Sequence, residues 1–179
     1  MAFPLNALDS DYKFKFALIG GSGRSSLIDR FVKKKFNERF PSTIGFDLET
    51  KTITINGKTC KLEIWFSSSQ YRFRPFQLEM LGGAHAVLIA TDLTSPESSE
   101  QIQEWVNEAK TRASKNCIIV LVGTKSDLSD DRRISQEDIE SICRTHNLPY
   151  FETSAKKNIN ITDVFRFAAA DAKNKLDNR

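Results

Sequence analysis

The chain has 179 residues, 40% hydrophobic and 27% charged, a balance that suits one globular domain able to bury most of its apolar surface. A net charge of only +3, with acidic and basic residues interspersed, leaves no footprint for nucleic acid. No apolar run reaches the eighteen or so residues of a transmembrane helix, residues 1–11 lack the pattern of a secretory signal, and three cysteines without paired spacing fit neither a disulfide framework nor a zinc site, so a cytoplasmic protein is expected.

In chain order, residues 12–19 alternate Phe14, Phe16 and Leu18 with Lys13 and Lys15, as a strand does, and run into glycine. A helix follows at once, with Leu27, Ile28, Phe31 and Val32 at helical spacing, Ser25 or Ser26 as its cap and Lys33-Lys34-Lys35 as its solvated end. Residues 46–55 and 58–65 read as strands joined by Asn56-Gly57, the dipeptide of a tight antiparallel hairpin. Residues 84–90 and 118–122 are nearly unbroken apolar runs, as expected of strands covered on both faces, and residues 150–152 form a further short strand. Between them lie two apolar stripes, Ile102-Trp105-Val106-Ala109 and Ile161-Val164-Phe165-Ala168-Ala172. Ser135, three residues before Asp138, caps a helix carrying Ile139, Ile142 and Cys143. The alternation predicts an α/β fold: a six-stranded, mostly parallel sheet with one antiparallel edge strand and helices on both faces. Cys60 and Cys143 read as small core residues, and His85 and His146, isolated from any nucleophile, as structural.

The polar motifs all follow strands, where ligands bind in such folds. They are Gly20-Gly21-Ser22-Gly23-Arg24-Ser25-Ser26, Trp65-Phe66-Ser67-Ser68-Ser69-Gln70, Thr124-Lys125-Ser126-Asp127 and Glu152-Thr153-Ser154-Ala155-Lys156. Together with Ser42-Thr43-Ile44-Gly45, Lys61-Leu62-Glu63-Ile64-Trp65, Arg72-Phe73-Arg74 and Phe36, they resemble a small GTPase of the Ras superfamily, and within it the Rab branch. The resemblance spans about residues 12–175, leaving 1–11 as an extension and 176–179 as a tail.

That resemblance implies a guanine site. Asp127 would accept the two donors that guanine presents on one edge, Lys125 would cover a face of the base, the Ala155 amide would meet the base oxygen beside Ser154 and Lys156, and Phe36 would pack on the guanine edge. Thr124 stands where most Rabs carry asparagine, as it does in the Rho branch.

The phosphate end departs from the family. A phosphate loop runs from glycine through four residues to Gly-Lys-Ser/Thr, whereas here the basic residue is Arg24, two positions too early and no longer lysine. Two readings stand side by side: a glycine turn that starts a helix, or a partial anion site formed by Gly21, Ser22, Gly23, Arg24, Ser25 and Ser26. Phe66 occupies the place of the family's magnesium-orienting aspartate, and Ser69 that of the glycine facing the γ-phosphate. Gln70 survives at the place of the water-positioning glutamine, the single candidate catalytic residue, and Ser25 with Thr43 would make a poor metal site.

The expectation is a Rab-like protein that binds GDP or GTP with weak or absent hydrolysis and doubtful use of magnesium. The alternative is a nucleotide-free pseudo-GTPase scaffold whose pocket is filled by Phe66 and Arg24. Effectors would dock on the switch face through Leu48, Trp65 and Met80, the positions of the Rab apolar triad. No cysteine stands near residues 174–179, so either no lipid anchor is expected or the tail has been cut away, and membrane association would be peripheral, through partners.

Overall fold

The computed structural model describes residues 10–38, 45–68, 70–96 and 99–178. Its sheet has six strands in the order β2-β3-β1-β4-β5-β6, formed by β1 (Tyr12–Gly20), β2 (Phe46–Ile55), β3 (Lys58–Ser67), β4 (Ala86–Asp92), β5 (Ile118–Thr124) and β6 (Tyr150–Glu152). Only the β2–β3 pair is antiparallel, with Ile55 opposite Lys58 across a turn in which Asn56 and Gly57 both adopt positive φ. That conformation is what the tightest hairpin connection demands.

Alternation sorts the sheet residues into two cores. Phe14, Phe16 and Leu18 of β1 face α1 (Arg24–Lys33) and α5 (Ile161–Asp177), where Phe31 and Phe165 stack with ring centroids 4.0 Å apart. Ala17 and Ile19 face the other way, toward α2 (Arg74–Met80), α3 (Ser99–Arg112) and α4 (Gln136–His146). Each large side chain buried in this way contributes about 1.5–3 kcal/mol, so both helical layers are held to the sheet by apolar burial. No helix among the described residues is long and apolar enough to cross a membrane.

Two local expectations need correcting, and one helix was not expected. β4 starts at Ala86, two residues later than the apolar run, because His85 is engaged with β1: its amide donates to the Lys15 carbonyl at 2.8 Å and its Nδ1 accepts from the Lys15 amide at 3.0 Å. Neither Ser25 nor Ser26 caps α1. The cap is Gly23, at φ 94°, and a Cβ there would come within 2.7 Å of Thr124 Oγ1, so only glycine fits. Helix α2 is seven residues long with a proline in its first turn, and it has no counterpart in the sequence reading. Ser135 does cap α4, accepting from the Asp138 amide at 3.0 Å.

Candidate functional site

At the carboxyl end of the sheet the loops enclose a cavity of about 510 Å³, within the range of small-molecule sites. It is lined by Ser22, Gly23, Arg24, Ser25, Ser26, Phe36, Gln70, Thr124, Lys125, Asp127, Ala155 and Lys156, so four separate motifs of the sequence converge on one space. Of the remaining candidate residues, Gly21 and Ser154 do not line the cavity, and Thr43 lies outside the described residues.

The base end is built by hydrogen bonds between the β5 and β6 loops. Ser154 Oγ donates to Asp127 Oδ1 at 2.7 Å and accepts from the Lys157 amide at 3.0 Å, which orients the carboxylate. The Ser126 amide donates to the Thr153 carbonyl at 3.1 Å, tying one loop to the other. Arg30 of α1 reaches across to the β6 loop, its Nε donating to the Ala155 carbonyl at 2.7 Å. Lys125 Nζ sits 2.6 Å from Asp92 Oδ2, so its stem is held along the cavity wall. Burial alone would raise the Asp92 pKa, but bonds from Lys125, Ser22 and Thr94 outweigh it and hold the carboxylate below its ordinary value. Lys156 pairs with Glu38 at 2.7 Å across the mouth.

The phosphate end is organised differently. Arg24 is 3% exposed and turns its guanidinium inward: Nε donates to the Gly21 carbonyl at 3.0 Å, and one terminal nitrogen donates to the Leu18 carbonyl at 3.3 Å and to Gln77 Oε1 at 2.9 Å. Burial without a carboxylate pushes its pKa down to about 10. Gln77, 1% exposed, also accepts from the Gly20 amide at 3.0 Å and donates from Nε2 to the Ser68 carbonyl at 3.2 Å. One glutamine of α2 thus joins the loop after β1 to the loop after β3. The Gly21 amide turns back to the Ala90 carbonyl at 2.8 Å, and no side chain caps α1, whose first turn borders the cavity.

Magnesium, which the fold family implies, does not fit the residues present. Phe66 is 5% exposed and packs in the core with Leu18 and Leu27, so the position that would orient the ion's water offers no oxygen. Among the described residues no group of three His, Cys, Asp or Glu side chains converges to hold a metal. Ser67 and Ser68, which line this end of the cavity, make hydrogen bonds to each other, to Gly45 and to Gln77, and Ser68 Oγ accepts from the Gln70 amide at 3.3 Å. Gln70 lies at the cavity edge and is exposed.

The sequence reading misses Gln77, Asp92 and Arg30. Asp92 had a signal, since it ends a strand at the ligand-binding edge; Gln77 and Arg30 had none, because each acts through partners more than fifty residues away in sequence. On the switch face Met80 is a correction: it is 7% exposed and belongs to the second core. The exposed apolar residues there are Leu48, Phe46 and Phe76, and Phe46 stacks against both Trp65 and Phe76.

Comparison with known proteins gives a consistent result. The Ras family model matches residues 15–174. Rab-8A of Gallus gallus is 38% identical over 171 residues, covering 94% of this chain and 83% of the relative. RIC1 of Oryza sativa subsp. japonica is 38% identical over 168 residues, covering 93% and 83%, and Rab-13 of Rattus norvegicus is 37% identical over 163 residues, covering 90% and 80%.

Proposed function

The chain belongs to the Ras family of small GTPases, and on that premise we propose that it is a Rab-like protein that retains a guanine ligand, hydrolyses GTP weakly or not at all, and acts through protein partners in vesicle trafficking or signalling. The observation that carries the reading is the pairing of Ser154 with Asp127 at the edge of an open cavity. An ionised carboxylate has about four acceptor sites, so with the Ser154 hydroxyl on Oδ1 each oxygen of Asp127 still has room for one donor of a base edge that carries two, a pattern adenine lacks.

Slow hydrolysis follows from what the phosphate end lacks. Phosphoryl transfer depends almost wholly on positioning and on charge stabilisation. Here the loop cation is engaged with Gln77, and the aspartate position is a core phenylalanine. The nucleotide-free scaffold is weakened by the same geometry, because Phe66 lies in the core and Arg24 turns inward, leaving the cavity open.

The test is direct. Purified protein is denatured and the supernatant separated by ion exchange, and guanine nucleotide is then titrated onto the emptied protein. Wild type should bind guanine and reject adenine, whereas Asp127→Ala should lose at least about 10²-fold in affinity, given the discrimination of a buried polar site. Equal binding by Asp127→Ala would refute the assignment.

A further inference from the structure

Resting on the guanine reading above, we infer that this pocket recognises the base and is nearly indifferent to phosphates: guanosine, GMP, GDP and GTP bind with similar affinity, with or without magnesium. Phosphate affinity in a closed loop needs a cation aimed at the anion, a ring of backbone amides, or a bound metal. Here the cations and two of the loop amides are diverted by named contacts, and Phe66 stands in place of the oxygen that would orient a metal.

Among the described residues the cationic ones at the cavity are Arg24, Lys125 and Lys156. Arg24 points away from the cavity into a cage of the Leu18 and Gly21 carbonyls and Gln77 Oε1. Lys125 is neutralised by Asp92, and Asp92 also takes the Ser22 hydroxyl at 2.5 Å, which draws the loop serine toward an anion rather than toward a phosphate. Lys156 is paired with Glu38 at the mouth, on the base side. Of the loop amides, Gly20 is committed to Gln77 and Gly21 to Ala90.

Facing them, Ser67 and Ser68 form a neutral wall where a metal-bound aspartate would be needed. A second or third phosphate therefore brings negative charge into a space with no counter-charge directed at it. What remains is the uncapped start of α1, and a helix terminus of this kind adds at most about thirtyfold in affinity for an anion. A ligand whose phosphates are not read cannot report its hydrolysis state, so the occupant would follow cellular abundance and the protein would not switch on GTP cleavage.

The experiment is isothermal titration of the whole chain, freed of ligand, with guanosine, GMP, GDP, GTP and adenosine, each in magnesium and in EDTA. Dissociation constants for the four guanine compounds within about thirtyfold of each other, unchanged by EDTA, are expected. Asp127→Ala should weaken all four by the same factor. GDP or GTP binding more than about thirtyfold tighter than guanosine, or a magnesium effect above that, would overturn the inference while leaving the guanine reading intact. Failure of every guanine compound to bind, or binding of adenosine as tightly as guanosine, would instead remove the guanine reading and this inference with it.

Discussion

Replacing Gln77 by leucine isolates the cross-link that organises the phosphate end. The two side chains are of similar volume, so no cavity opens, and the change removes three hydrogen bonds: those from the Gly20 amide, from Arg24 and to the Ser68 carbonyl. Ser68 keeps the Ser67 hydroxyl at 3.2 Å, but the Gly20 amide and a buried guanidinium N–H lose their acceptor. An unpaired buried donor costs about 1–3 kcal/mol and a charged one more, which sums to about 3–5 kcal/mol. With a urea dependence of about 2 kcal/mol per molar, the unfolding midpoint should fall by about 1.5–2.5 M, read by far-ultraviolet circular dichroism in the absence of ligand. Adding Arg24→Met removes the guanidinium that has lost its partner, so the double variant should be more stable than the sum of the two single changes by at least about 1 kcal/mol. A midpoint shift below about 0.5 M, or strict additivity, would refute the reasoning.

The other expectations are simpler to state. Ser154→Ala frees the Asp127 carboxylate and should weaken guanine binding by about threefold to tenfold in the same titration, with little change in melting temperature. Restoring the family residue with Phe66→Asp should not restore magnesium use: it buries an unpaired carboxyl among Leu18, Leu27 and Ile64 and should cost at least about 3 kcal/mol by denaturant titration. Asp92 is held below its ordinary value of 3.8, so its bonds contribute stability that is complete above that pH and disappears as pH falls through the lower folded value. The stability difference between wild type and Asp92→Asn should accordingly stay flat from neutral pH down to about pH 5 and shrink only below pH 3.8.

Much of the architecture is legible because its signals are local. The positive φ of Asn56 and Gly57 is written in their side chains, and the two cores follow from alternation along β1 and β4. Even the burial of Phe66 is readable, since it continues the inward series Cys60, Leu62 and Ile64 on β3. Helix α2 is not legible, because seven residues with a proline span too few turns to display a periodic face. Nor is the direction of Arg24: a flexible side chain beside a pocket can point either way, and the acceptor that decides it lies 53 residues further along the chain. The same non-locality hides Met80, whose burial depends on α2 packing against the sheet rather than on its own neighbours.

The stack of Phe46 on Trp65 also has a practical use. The chain contains two tryptophans, and the other, Trp105, is almost fully buried on α3. With Trp105→Phe in place, fluorescence would come from a single indole stacked on the exposed ring of Phe46, which in turn stacks on Phe76, an intrinsic optical probe of whatever protein settles on that face. Emission moving to shorter wavelength on mixing would mark the surface as covered, without any attached dye.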